Sequence, residues 1–474
     1  MATGERRHER DGDEGEQRVA AMNRRRFMST GAAAMVGGAL AGTAFGRPAG
    51  AAAPGPLAIT HGTVTGDVTH DSGLVWARAS AEGRMQVKFW SEEVRGRRGA
   101  LRHTAARHLD DGSDFIGKFE LNALEPGAEY SYQVIARRGH EQAESAVATF
   151  RTAPRHHVPV PVRFTWGGDV GQGLANRPPF PAFASMAVEA PDFFIFNGDT
   201  IYGDGRTPIG PGATTVPEFW AKYRENREDP LFQAFARRTP MIVNWDDHEV
   251  DNDYRGLDPE LPEGRLGVGR RAFFDYWPIR TRLPRTWRSL RWGREVEVFV
   301  LDCRQFADPL DAPDGPDKSM LGQQQLRWLL TGVLRSEATW KVLATSCPLS
   351  ILRSANPPQD DWVAYEHELG TLLEAWRRAH VRNLVWITAD VHWAQAIEYP
   401  AYGMWEFVGC PIGANPRAVG MPLSPTFGPV ERFLGLNQRS YGSIAVDPVA
   451  RTMTVDLKLQ DGTLRHRTVI PAIS

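Results

Sequence analysis

Hydrophobic and polar positions alternate along the first third of the chain and then cease to. Met85-Gln86-Val87-Lys88-Phe89-Trp90 steps between apolar and polar residues with a period of two, the mark of a half-buried strand. Thr63, Val64, Val68, Leu74, Val75 and Trp76 lie in short β-rich runs broken by Gly-Asp and Asp-Ser-Gly turns. From about residue 162 the strands read as unbroken apolar runs separated by helical spacing. Pro181 to Glu189 and Val216 to Glu228 read as helices, the second with Phe219, Trp220 and Tyr223 on one face. Leu321 to Ser336 and Ala364 to His380 are the longest helical patterns. Strands are expected at Val296–Leu301, Lys341–Ala344 and Asn383–Ile387, with a hairpin-like tail at Ser443–Val446 and Thr452–Leu459. This mixed order predicts two packed sheets flanked by helices.

Four of the apolar runs end in acids: Phe164 to Asp169, Phe193 to Asp199, Ile242 to Glu249, and Leu384 to His392. In an open α/β sheet the carboxyl ends of the strands converge on one crevice. Carboxylates crowded there raise one another's pKa unless cations hold them. A metal cluster is therefore expected at their meeting point. Asp169-Val170-Gly171 alone is a weak signal, since an aspartate there is usually a turn former or helix cap. Asp199 has two oxygens able to bridge two cations, and Tyr202 follows within reach of the same site. Asp246-Asp247-His248-Glu249 is the most specific run, and Asp390 and His392, two apart on an extended segment, can face one site together.

Length and composition add limits. At 474 residues the chain exceeds one ordinary core and implies two domains. A net charge of −2 gives no electrostatic case for nucleic acid or an anionic membrane. Cys303, Cys347 and Cys410 are too few and too scattered for a disulfide framework. The amino-terminal segment, residues 1–52, reads as a twin-arginine signal and disordered stretch. It carries Asn23-Arg24-Arg25-Arg26-Phe27-Met28, a weakly apolar run from Gly31 to Phe45 and an Ala49-Gly50-Ala51 cleavage site. That run is too short to span a membrane. The partner it implies is the twin-arginine export machinery, and the location is secreted, periplasmic or cell-surface.

Residues 56–154 are expected to form a β-sandwich. The segment Leu124-Glu125-Pro126-Gly127-Ala128-Glu129-Tyr130-Ser131-Tyr132 resembles a fibronectin-type-III tyrosine corner. Residues 160–474 carry the acidic blocks. The blocks Asp169-Val170-Gly171, Gly198-Asp199-Thr200-Ile201-Tyr202, Trp245-Asp246-Asp247-His248-Glu249 and Ala389-Asp390-Val391-His392 resemble those of the metallophosphoesterase (calcineurin-like) superfamily. More closely they resemble its alkaline phosphatase D (PhoD-like) family, as do Leu301-Asp302-Cys303-Arg304 and Met320-Leu321-Gly322. The first two blocks are similar to those of purple acid phosphatases, with Asp169 where PhoD-like enzymes carry a cysteine.

The resemblance implies a four-layer α/β/β/α domain, ferric iron and one or more calcium ions. It places Asp199 between the metals, Tyr202 and His392 on iron, Asp169 in the first block, and Asp247 and Asp390 as further metal ligands. Hard oxygen donors at Asp247 and Asp390 favour calcium, magnesium or manganese over zinc, calcium being the preferred reading. His248 takes the position of the catalytic acid. The implied activity is hydrolysis of phosphate esters by in-line attack of a metal-bound hydroxide. Arg224 and Arg304 are candidate phosphate clamps, because a guanidinium matches two oxygens at once, although a structural ion pair is the commoner role for either. The substrate is a small phosphate ester or a lipid. Two other readings remain open: a phospholipase-D-like phosphodiesterase, and a non-catalytic, metal-stabilised surface-binding protein.

Overall fold

A computed structural model describes residues 55–92, 99–171, 173–353 and 360–473. The expected twin-arginine pattern and its cleavage site lie outside the described residues. Among the described residues no helix is long and apolar enough to cross a membrane.

The strand Phe193–Asn197 shows how the layers arise. All five residues are buried, and successive side chains face opposite ways. Phe193 and Ile195 join a core shared with Val298, Val342, Val385 and Ile387 of a second sheet. Phe194 and Phe196 pack instead with Phe183, Phe219, Phe232 and Phe273 from helices Pro181–Glu189, Val216–Arg227, Pro230–Ala236 and Arg265–Tyr276. An unbroken apolar run is what burial on both faces requires. On the far side, Phe299, Leu343 and Trp386 pack against Leu329, Val333, Leu369, Leu372 and Trp376 of helices Gly322–Arg335 and Glu366–Arg378. The part of the chain from residue 162 onward is thus helix, sheet, sheet, helix.

One sheet runs Leu464–Pro471, Thr452–Leu459, Ser440–Asp447, Val162–Gly167, Phe193–Asn197, Met241–Asn244, Ile59–Gly66, Gly73–Ala79, Ile116–Leu121. The other runs Arg288–Trp292, Val296–Val300, Trp340–Ala344, Leu384–Thr388, Met404–Gly409, Ala394–Tyr399, Val430–Gly435. A third sheet, built on Gly83–Ser91 and Glu129–Arg138, covers the amino-terminal strands to form a β-sandwich. Its corner is closed by Tyr130, whose hydroxyl accepts a hydrogen bond from the Glu125 amide at 2.9 Å.

The sandwich is not a separate bead. Three of its strands extend the central sheet through the parallel pairing of Gly66 with Met241. A side chain at 66 would begin 2.5 Å from the Pro278 carbonyl oxygen, so only glycine permits this approach. Asp67 next to it is buried and takes a two-pronged ion pair from Arg288, both contacts at 2.8 Å. Trp76 donates to the Asp275 carbonyl at 3.0 Å and lies under the Arg227 guanidinium.

Candidate metal centre

The central strands are in register at their carboxyl ends. Gly167 pairs with Phe196, and Asn197 with Asn244, so the loops after them start side by side. The loop after Thr388 belongs to the other sheet. Two buried asparagines join the sheets there: Asn197 donates to the carbonyls of Thr345 (2.7 Å) and Ile387 (2.9 Å), and Asn244 to that of Leu301 (2.8 Å). Neither was singled out from the sequence, since their partners lie far along the chain.

Four of the expected site residues occupy left-handed backbone: Asp169 (φ 60°), Asp199 (φ 49°), Asp390 (φ 70°) and His392 (φ 63°). Non-glycine residues there carry backbone strain, and aspartate tolerates it better than most. Such turns let short side chains reach back over the strand ends.

The structure brings Asp169, Asp199 and His392 together, with one ligand atom from each lying within 4.8 Å of the others. Tyr202 joins them, its hydroxyl 2.9 Å from His392 Nε2, while Asp169 Oδ1 lies 3.3 Å from the same nitrogen. His392 Nδ1 donates to the Asn415 carbonyl at 2.9 Å. A carbonyl can only accept, so Nδ1 carries a proton there and Nε2 is the ring nitrogen turned toward the cluster. Asp199 also falls in a second group, with Asp247 and His248.

Asp169, Asp199 and Asp247 are buried, and Asp169 Oδ1, Asp199 Oδ2 and Asp247 Oδ1 have no hydrogen-bond donor. Burial, then the charges of Asp247, Asp246 and Asp169, pushes the Asp199 carboxyl well above the usual carboxylate range. Burial, then Asp199 and Asp169, raises the Tyr202 phenol likewise. Donor-free buried oxygens beside an imidazole nitrogen are the setting that metal ions satisfy, so the residues fit. Asp390 is drawn to Asp246 and Asp247, and its amide donates to Asp169 at 3.3 Å. Its carboxylate, however, is held by Arg304 at 3.3 Å and also by Arg353.

His248 lies beside this cluster, its ring centroid 4.1 Å from that of Tyr202. Its Nδ1 meets Asp204 at 2.8 and 3.0 Å, and the Asn252 amide steadies Asp204 at 2.9 Å. Its Nε2 lies 3.9 Å from Asp199. Burial works against the charged ring, but Asp247 and then Asp204 lift its pKa to about 9. Asp204 was missed in the sequence, although it stands five residues after Asp199. Glu249 is a loop staple: it accepts from the Thr200 and Asp246 amides and the Thr200 hydroxyl, tying the second acidic loop to the third.

Neither expected clamp is free to take a phosphate. Arg224 is committed to Asp114 at 2.7 Å, a carboxylate shared with Arg78 and Tyr276 at the seam with the sandwich. This corrects its assignment as a catalytic residue: it is an ion-pair residue. Arg304 is wholly buried among carboxylates.

The arrangement defines a class: a four-layer α/β/β/α sandwich with carboxylates, a phenol and an imidazole gathered at the strand ends. The chain belongs to the PhoD-like phosphatase family, whose model matches residues 166–452, and the model for that family's N-terminal domain matches residues 45–154. It is 28% identical over 351 residues to alkaline phosphatase D of Bacillus subtilis (strain 168), an alignment covering 63% of this chain and 59% of that protein. A solved structure described as PhoD superposes with a TM-score of 0.72 at 22% identity, covering 87% of this chain and 88% of the other. The purple acid phosphatase PPD1 from yellow lupin seeds gives 0.62 at 15% identity, with 87% and 74% covered. Both share the fold.

Proposed function

We propose that this chain is a metal-dependent phosphoesterase, and that Asp199 is the residue on which the two halves of its centre turn. The carrying observation is that Asp199 lies within ligand spacing of two groups at once, one with Asp169 and His392 and one with Asp247, where His248 stands beside the carboxylates as the proton donor. The first, with the Tyr202 phenol, suits ferric iron; the second, with its oxygen donors, suits calcium, or magnesium or manganese in its place. When bound, such ions supply Lewis acidity and neutralise charge on a phosphoryl group undergoing in-line displacement.

The chain's own residues do the rest. His248, held through Nδ1 by Asp204, presents Nε2–H to the departing oxygen and gives it a proton. Tyr202 packs along one face of that imidazole and limits its rotation. Phosphate esters as substrates, a lipid diester among them, and export by the twin-arginine route complete the proposal.

The test is to purify the exported form, measure its iron and calcium, record its visible spectrum and assay monoesters and diesters. The expected protein is coloured by a phenolate-to-iron band that Tyr202→Phe abolishes, and a chelator removes its esterase activity. A colourless protein that binds calcium and turns over no ester would support the surface-binding reading instead.

A further inference from the structure

Beside the proposed metal positions lies a dense set of paired charges that no step above uses. Arg304 has no exposed surface. Its Nε contacts Asp246, one terminal nitrogen lies 3.1 Å from Asp360, and the other lies 3.3 Å from Asp390 and 3.8 Å from Asp247. Arg255 and Arg353 flank it: Arg255 reaches Asp360, while Arg353 reaches Asp361 at 2.6 Å, Asp360 at 3.4 Å and Asp390. Two acidic groups with metal-ligand spacing occur here, Asp246-Asp247-Asp390 and Asp360-Asp361-Asp390. Both contain carboxylates that already hold a guanidinium. The contrast with the other side is sharp, since among the described residues no lysine or arginine forms an ion pair with Asp169 or Asp199.

We infer that Arg304 is a built-in cation of the centre: a positioning residue that fills the space between Asp246, Asp360 and Asp390 and keeps a further metal ion out of it. Three carboxylates around one buried point need positive charge in whatever form is present. A guanidinium supplies it permanently and with directed hydrogen bonds, whereas an ion would come and go with its free concentration. Arg304 thereby helps set how many ions the cluster takes, while its 3.8 Å approach to Asp247 Oδ1 makes no hydrogen bond and leaves that carboxylate without a donor on this oxygen. Arg353, whose side chain is 15% exposed, guards the same cluster from the solvent side.

The inference rests on the two-position reading of Asp199, and the experiment separates the two. Wild type, Arg304→Ala, Arg304→Lys and the paired Arg304→Ala/Asp360→Asn variant are dialysed against excess calcium. Bound iron and calcium per chain are then counted, and melting is followed with and without calcium. Arg304→Ala is expected to hold one more calcium ion per chain than wild type and to gain a larger calcium-dependent rise in melting temperature. Arg304→Lys and the paired variant are expected to gain no ion. A folded Arg304→Ala protein with the wild-type calcium count overturns the inference. So does one that stays unfolded in excess calcium, because an ion in the vacated place should restore it. Absence of iron and calcium from wild type would instead overturn the metal-centre reading.

Discussion

Replacing Asp204 by asparagine isolates the proton-transfer half of the proposed chemistry. The carboxylate meets His248 Nδ1 at 2.8 and 3.0 Å, and its charge helps hold the imidazole protonated with a pKa of about 9. A cation on Asp247 would cancel that residue's share of the lift and leave Asp204 as the main support. A hydrogen bond to a charged partner contributes about 1.5–3 kcal/mol, which is about one to two pKa units on the ring. Asparagine still accepts from Nδ1–H but carries no charge.

The sign follows. The proton donor is the charged ring, so activity is present below the raised pKa and lost as pH rises through it. In Asp204→Asn the alkaline limb of kcat/KM should move down by about one to two pH units. The fall should depend on the leaving group. An alkyl phosphate, whose alkoxide needs a proton, should lose about 5- to 50-fold near pH 9, the fall in the protonated fraction that such a shift gives. A p-nitrophenyl ester, which departs as a stable anion, should be nearly unaffected. The assay is a pair of pH profiles with these substrates at fixed metal content. An equal loss on both esters, or an unmoved alkaline limb, would refute the role.

Glu406 offers a test of stability remote from the proposed ligands. Burial raises its pKa to about 7, although the Tyr399 hydroxyl (2.6 Å), the Leu349 amide (2.9 Å) and the Thr388 hydroxyl (3.3 Å) all donate to it. Its folded pKa exceeds its unfolded one, so its contribution is full below about pH 4.5 and is lost as pH rises through about 7. Glu406→Gln should gain on the order of 2–3 kcal/mol relative to wild type between pH 5 and pH 8 in denaturant titrations; a pH-independent difference would count against this. Arg224→Ala should lower stability by about 1–2 kcal/mol by leaving buried Asp114 one partner short, with kcat within about twofold of wild type. A selective rise in KM for phosphate esters would restore it as a clamp.

What the sequence revealed follows from which contacts are local. The runs ending in Asp169, Asp199 and Asp247 were readable because a strand buried on both faces has no polar phase. Helix Pro181–Glu189 was readable through its opening proline and apolar spacing. Helix Arg265–Tyr276 was not, because Gly267 and Gly269 weaken its pattern. Gly269 is there for packing, since a side chain would begin 2.5 Å from the Glu249 carbonyl oxygen. The edge strand Leu464–Pro471 was passed over because its residues are all at least partly exposed. At the site, the ligand set is written in short motifs, whereas its supports are written across the chain. Arg304 meets partners 56 to 86 residues away. The ion-pair partner of Arg224 was not readable because its carboxylate lies 110 residues upstream, in a strand-rich region that gave no hint of reaching it.

The pairing of Gly66 with Met241 limits how this protein could be shortened. A truncation at the family-model boundary near residue 154 would bare the edge of the strand that leads into Asp246 and Asp247, and would strip Arg288 of its buried carboxylate. Unpaired strand edges invite pairing with other chains. A fragment cut there should be sticky and poorly formed at its third acidic loop, so the amino-terminal strands are better regarded as a brace for the candidate metal centre than as an appendage.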